Sequence, residues 1–299
     1  MNNFIVYFYG ITVDKLTFNN QYYSFNYLGY LYRLYLIDDV DTNMLISINK
    51  HLIGNTLVSE IITNKDGKYV SNYNNSNYIL IKIYANPNKK ISLEEITYLA
   101  NSLYTKSIQT NWAKLWGNKI DYLEKLINEN GKKYPLLVDS FNYFVGLTEN
   151  AISYYNSIEI ENNMIYVISH KSLKYNDDVT ALYNPLNIIF DYSVRDVAEY
   201  IKNSFWDDNR NIYYELSEYM KYNHLSITEI KLLISRILYP SFYFELYEDI
   251  LLYGESEAII LKFTDKLPQY EVYLFNIITF FNNYYNLPKV DWLNRKNED

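Results

Sequence analysis

Up to Tyr84 the apolar positions come in short runs broken by polar clusters, and after Asn88 they recur every three or four residues. The first pattern predicts strands and the second helices. Phe4 to Tyr9 reads as a short apolar strand, and Gln21 to Ile37 as a long run of Tyr, Leu and Phe in which Gly29 marks a bend. Asp38 to Asp41 interrupts that run with charge. Within Met44 to Ile53, Leu45, Ile48 and Leu52 stand at helical spacing, so a short helix is expected to end near Gly54. Val58 to Thr63 predicts a strand, Asp66-Gly67 a hairpin turn, and Tyr69 to Tyr73 the partner strand. The polar tract Asn72 to Asn77 reads as a loop before a last strand, Tyr78 to Tyr84, with Ile79, Ile81 and Ile83 on one face.

Beyond Pro87 the period lengthens. Ser92 with Glu95 three residues on forms a capping box for a helix through Ile96, Leu99, Ala100 and Leu103. A second helix carries Trp112, Trp116, Leu123 and Ile127 and stops at Asn130-Gly131; a third follows Pro135 through Phe144, Leu147, Ala151 and Tyr155. Short strands are expected at Met164 to Ser169 and Leu186 to Phe190. From Val194 to Leu287 the chain is predicted helical, with turns near Asp207-Asp208-Asn209, Asn223-His224-Leu225 and Pro240, before a charged tail from Asn294 to Asp299. The predicted class is α+β. A β-rich N-terminal part, 1–85, precedes a larger helical part, 86–299, with a hinge near Tyr84 to Asn88.

Composition narrows the classes of function. The 299 residues are 49% hydrophobic and 21% charged, which is globular composition. Tyrosine is unusually frequent at 36 residues, and its ring-plus-hydroxyl chemistry predicts a core that grades into a boundary layer. A coding bias towards Asn, Tyr, Ile and Lys accounts for much of this; a sticky aromatic surface is the functional alternative. A net charge of -8 argues against nucleic acid or an anionic membrane as partner. With no cysteine, thiolate catalysis, disulfides and cysteine-ligated metals are excluded. The N-terminal sequence lacks a signal-peptide pattern and no run reaches the ~20 apolar residues that cross a bilayer, so a cytoplasmic protein is expected.

Few residues carry candidate chemistry. His51, His170 and His224 are far apart and form no HExxH or HxH pattern, which argues against a histidine-built zinc site. His51 and His224 read as surface or capping residues, whereas His170 ends a strand and precedes a polar loop. No GxGxxG, GxxxxGK[ST] or GxSxG motif occurs among the eight glycines. The acid pairs Asp38-Asp39, Glu94-Glu95, Asp177-Asp178 and Asp207-Asp208 suit solvated turns and caps. Asp177-Asp178 carries more weight because it closely follows His170.

Residues 168–173 (ISHKSL), followed by 190–201 (FDYSVRDVAEYI), look like the catalytic-loop and metal-loop region of a kinase-like fold. Together with 141–152 (FNYFVGLTENAI) and 235–245 (SRILYPSFYFE), they most resemble the spore-coat-associated YutH and CotS group of the aminoglycoside and choline phosphotransferase superfamily. The resemblance covers nearly the whole chain and is weakest in the first forty residues. It implies a protein-kinase-like fold of two lobes, the β-rich one first.

Working members of that superfamily carry a loop of the form HGDxxxxN. His170 matches the His, but Lys171 replaces Gly, Ser172 replaces the catalytic Asp, and Asp177 stands at the metal-holding Asn. A hydroxyl is too weakly basic to replace that carboxylate near neutral pH, whereas Asp177 remains an oxygen ligand suited to a hard cation. Asp191 matches the second metal-binding Asp. Asp196 matches a structural Asp, and reads equally well as an N-cap. Tyr30 to Tyr35 matches the strand of the ATP-phosphate lysine, and Arg33 is its only cation. The resemblance therefore implies a catalytically degenerate, pseudokinase-type binding or structural protein, associated with the spore coat in a spore-forming source and partnered by other coat proteins. ATP and magnesium, held by Asp177 and Asp191, are the cofactors such a site would take if nucleotide binds. The alternative is a divergent ATP-dependent small-molecule phosphotransferase.

Overall fold

The structure is a computed structural model describing residues 1–19, 22–37, 41–52, 57–106, 110–161, 164–174, 176–206 and 211–295. In chain order the first elements are α1 (Asn2–Tyr9), β1 (Thr17–Asn19), β2 (Tyr22–Tyr27), β3 (Tyr30–Ile37), α2 (Thr42–Leu52), β4 (Glu60–Ile62), β5 (Ser71–Tyr73), β6 (Ser76–Ile83) and α3 (Leu93–Ala100). There follow β7 (Tyr104–Thr105), α4 (Trp112–Asn130), α5 (Pro135–Asn156), β8 (Tyr166–His170), α6 (Val179–Leu182), β9 (Ile188–Tyr192) and α7 (Arg195–Ser204). The chain continues through α8 (Ile212–Tyr222), α9 (Ile227–Leu238), α10 (Ser241–Tyr253), α11 (Ile259–Thr264), α12 (Leu267–Asn282) and α13 (Asp291–Arg295). These pack as two compact units, one of Met1–Ser102 with His170–Ile189, the other of Leu103–Ser169 with Phe190–Asp299.

The first unit is built on an antiparallel sheet of order β1-β2-β3-β6-β4, with β5 also paired to β6. Two-residue turns set its register. Leu28 and Gly29 both adopt positive φ between β2 and β3, as Asn74 and Asn75 do between β5 and β6; such turns match the right-handed twist of the flanking strands. The bend expected at Gly29 is thus a hairpin. In β6 the isoleucines Ile79, Ile81 and Ile83 pack with Ile37, Leu45 and Ile61. Leu80, on the opposite face, joins Leu34, Phe25, Phe4 and Ile5. Both faces of this strand are therefore covered.

The N-terminal expectations need three corrections, the smallest being that the polar tract 72–77 is not a loop: only Asn74 and Asn75 turn, and the residues on either side belong to β5 and β6. Residues 4–9 form part of a helix, α1, and not a strand: neighbours Phe4 and Ile5 are both buried while Val6 and Tyr7 are exposed, a pattern no strand gives. The Phe4 and Phe8 rings meet at 4.7 Å across one turn, and Gly10 at φ 70 closes the helix. A six-residue run of β-branched and aromatic residues, Phe4 to Tyr9, is ambiguous in period, and packing decided it. The third correction concerns Tyr69 to Tyr73. A turn does close at Gly67, where the Asn64 side chain accepts from the amides of Asp66 and Lys68. However, the strands on either side, β4 and β5, each pair with β6 and not with one another.

The second unit is helical around a small sheet of order β7-β8-β9. Both α4 and α5 follow the predicted limits, with Asn111 capping α4 and Pro135 opening α5. Helix α3 of the first unit stops at Ala100, short of Leu103. The helical stretch after Val194 breaks at the expected turns near Asn223 and Pro240 and again at Gly254, whose φ of 74 ends α10. Ser226 and Glu229 form a reciprocal capping box on α9. Tyrosines take both predicted places: Tyr192, Tyr243, Tyr247 and Tyr270 are among the largest fully buried side chains, while Tyr7 and Tyr222 are mostly exposed. The expected breaks at Asp38 to Val40, Gly54 and Asp207 to Asn209, and the tail beyond Arg295, lie outside the described residues.

Candidate functional site

The candidate loop begins where β8 ends. His170 is buried, and its Nε2 lies 2.7 Å from the Leu182 carbonyl oxygen of α6. The next residues are held by Asn187, which sequence reasoning did not single out. Its Oδ1 accepts from the Ser172 amide at 3.2 Å, its Nδ2 donates to the Ser172 carbonyl at 2.7 Å, and its own carbonyl accepts from the Lys171 amide. The Ser172 hydroxyl is buried and makes no hydrogen bond among the described residues. Asp177 closes a short turn by accepting from the Lys174 amide at 2.7 Å, and burial pushes its carboxyl above the ordinary range. Asp178 caps α6 by accepting from the Thr180 amide at 2.7 Å.

The same segment is stitched to the sheet of its own unit. Arg33 on β3 donates from Nη1 to the Thr180 hydroxyl at 2.9 Å, and its guanidinium lies 4.6 Å from the Tyr22 ring centroid. Its Nε is buried with no hydrogen-bond partner among the described residues. Asn184 donates to the Tyr35 hydroxyl, the Val179 amide to the Lys89 carbonyl, and the Ser59 amide to the Tyr183 carbonyl. Burial raises the Tyr35 phenol to about 12, against the opposing pull of Arg33. Beside these contacts lies a polar cavity of about 510 Å³, lined among others by Arg33, Tyr35, Ser172, Lys174, Asp177 and Asp178. The first unit thus brings together Arg33, Ser172 and Asp177. That Arg33 would be tied to Thr180, 147 residues away in sequence, had no local signal.

Asp191 belongs to the second unit, at the end of β9. Its carboxylate accepts from the Trp112 indole at 3.0 and 3.1 Å, from the Tyr192 amide at 2.8 Å, and from Arg195 Nη1 at 2.6 Å. The pair is buried, with side-chain exposures of 2% for Asp191 and 10% for Arg195. The i,i+4 spacing to Arg195 was visible in the sequence; the Trp112 contact was not. Asp196 sits inside the first turn of α7, whose N-cap is Val194, so the N-cap reading of Asp196 is corrected. Among the described residues no group of three or more His, Cys, Asp or Glu side chains is placed to hold a metal ion. His51 and His224 are exposed.

One family model covers almost the whole chain: residues 2–272 match the family described as "Spore coat putative kinase YutH". The chain belongs to this YutH family. A YutH relative, the endospore coat-associated protein YutH of Bacillus subtilis (strain 168), is 27% identical over 271 residues, 80% of each chain. Solved structures similar to this YutH-family chain are phosphotransferases. An aminoglycoside phosphotransferase from Alicyclobacillus acidocaldarius superposes with a TM-score of 0.60 at 10% identity, covering 91% of this chain and 93% of the other. Spectinomycin phosphotransferase APH(9)-Ia, in complex with ADP and spectinomycin, gives 0.57 at 12% identity over 85% and 86%. The amicoumacin kinase hAmiN, in complex with AMP-PNP, Ca2+ and Ami, gives 0.53 at 14% over 87% and 89%. At such identities the likeness establishes the fold and leaves the chemistry open. The fold is α+β and protein-kinase-like, β-rich in its N-terminal part and helical in its C-terminal part. Among the described residues, no helix is long and apolar enough to cross a membrane.

Proposed function

We propose that this protein is a catalytically degenerate member of the kinase-like fold, acting as a binding or structural component of the spore coat with other coat proteins as partners. The observation that carries the reading is Ser172, which stands where a working loop has its catalytic carboxylate and whose hydroxyl is buried without a hydrogen bond among the described residues. A serine hydroxyl cannot act as the base near neutral pH. Two further features support it. Arg33, the cation on the strand of the phosphate lysine, is tied to Thr180 and Tyr22. Both oxygens of Asp191 already accept hydrogen bonds from the indole, amide and guanidinium around them. Phosphoryl transfer needs base, metal and positioned phosphates together, and the residues here fit a magnesium ion poorly. The spore-coat assignment rests on the family and on the coat-associated B. subtilis relative.

Two similar phosphotransferases were solved with ADP and with AMP-PNP, so nucleotide binding is the property to test first. The purified protein is expected to show no magnesium-dependent phosphorylation of small hydroxylated or amine substrates from ATP. Turnover that disappears in Asp191→Ala would establish the divergent phosphotransferase instead. A thermal-shift titration separates binding from chemistry, because a ligand specific to the native state raises its apparent stability with concentration.

A further inference from the structure

A cavity of about 720 Å³ lies within the second unit, and none of Arg33, Ser172, Asp177 and Asp191 lines it. It sits beside the start of α4, the end of α5, and strands β8 and β9. Tyr155, Tyr166 and Tyr192 line it and are themselves buried. Tyr192 donates to the Thr110 carbonyl at 2.8 Å, and the Tyr155 and Tyr192 hydroxyls lie 3.1 Å apart. Burial raises both of these phenols, so they stay neutral near pH 7 and bring no negative charge to the cavity. The rest of the lining is charged. Lys106 and Lys114 are exposed, and among the described residues neither forms an ion pair. Glu161 is the single acid among the described lining residues. The protein's net charge of -8 falls wholly in this unit, so a lining with two lysines to one carboxylate reverses the sign of its surroundings.

That reversal selects the ligand. A cation would be repelled by both ammonium groups, and a neutral ligand would displace their water without supplying a counter-charge. The N-terminus of α4 is not the attraction, because Asn111 already caps it by accepting from the Lys114 amide at 2.9 Å. The Asn111 and Asn118 carboxamides add N–H donors to the lining, and carboxylate or phosphate oxygens accept from ammonium and amide donors alike. A bare inorganic ion would leave most of the volume unused, together with the apolar Leu115 and Ile160 that line it. We propose that this cavity binds a small organic dianion, its charged oxygens met by Lys106 and Lys114 and its carbon skeleton lying against Leu115 and Ile160. The inference goes beyond the degenerate-kinase reading and does not depend on it.

The test is isothermal titration of the full chain at low salt with adipate and with phenyl phosphate, against inorganic phosphate and the neutral adipamide as controls. At least one of the two organic dianions is expected to bind more tightly than either control, and which of them binds tells a carboxylate site from a phosphate site. Affinity should fall about threefold in Lys106→Ala and in Lys114→Ala, and rise in Glu161→Gln, which removes the opposing charge. It should stay unchanged in Lys132→Ala, an exposed lysine beyond the far end of α4. All four side chains are exposed, so melting temperatures should match that of the parent chain. The inference is overturned if neither dianion binds, if adipamide binds as well as adipate, or if inorganic phosphate binds as tightly as phenyl phosphate. A loss in Lys132→Ala equal to that in Lys114→Ala would overturn it too, because the attraction would then be general and not that of the cavity.

Discussion

On the proposed reading, Asp191 and Ser172 are the side chains that separate this kinase-like fold from kinase chemistry. At Asp191 the carboxylate serves as an anchor for Trp112, Tyr192 and Arg195. Asp191→Asn would remove the charge that Arg195 Nη1 meets at 2.6 Å inside the protein, at a cost of about 2 kcal/mol. Denaturant unfolding followed by tryptophan fluorescence should show that loss; unchanged stability would mean the carboxylate is not an anchor. Restoring the expected acid through Ser172→Asp should yield no phosphotransfer in an ATP-coupled assay, because Arg33 and Asp191 remain committed elsewhere. Recovery of turnover would show that a single missing base was the whole defect.

At the scale of elements, short polar segments are fixed by side chains remote in sequence. Asn187 clamps both backbone groups of Ser172, so Asn187→Ala should speed hydrogen exchange at the Ser172 amide by an amount equivalent to ~1–3 kcal/mol. Protection equal to that of the parent chain would refute the clamp. Helix α1 depends on the left-handed residue that ends it. In Gly10→Ala the new Cβ would stand 3.1 Å from the flexible Lys65 Cε, and φ is +70°. The side chain can yield but the backbone cannot, so a loss of about 1 kcal/mol in unfolding free energy is expected.

Across the molecule, the most concentrated buried charge lies in the second unit. Glu199 accepts from Lys202, Arg236 and Ser241, joining α7, α9 and α10. Burial alone would raise the Glu199 carboxyl, but the two cations and the serine outweigh it and hold it near 2, below its usual 4.5. The stability this contributes is complete above pH 4.5 and is lost as pH falls towards 2. Lys202 behaves oppositely: burial lowers it from 10.5 to about 8 despite Glu199. The unfolded chain therefore binds more protons between those values, and this group's penalty fades as pH rises from 8 to 10.5. Buried phenols such as Tyr239 and Tyr243 are raised above 10 chiefly by burial, so their contribution is present below pH 10 and lost above it. Melting temperatures across the pH range should hold a plateau from pH 5 to 8 and fall at both the acidic and the strongly alkaline ends. A maximum below pH 4 would contradict the role given to Glu199.

The sequence by itself determined the order of a β-rich part and a helical part and the limits of α4 and α5, and it raised the expectation that Ser172 stands in place of a catalytic carboxylate. It did so because amphipathic period, caps and motif identity are local properties, written in residues a few positions apart. Tertiary structure decided the rest. It made residues 4–9 helical by burying Phe4 with Ile5, paired β4 and β5 each to β6, and chose which tyrosines are buried. It also set the state of the charged groups at the candidate site. Arg33 meets Thr180, and Asp191 meets Trp112, across 147 and 79 residues of chain. Whether a cation or carboxylate is open to a ligand or spent on its own fold is a question of three-dimensional neighbours, and no local pattern encodes it.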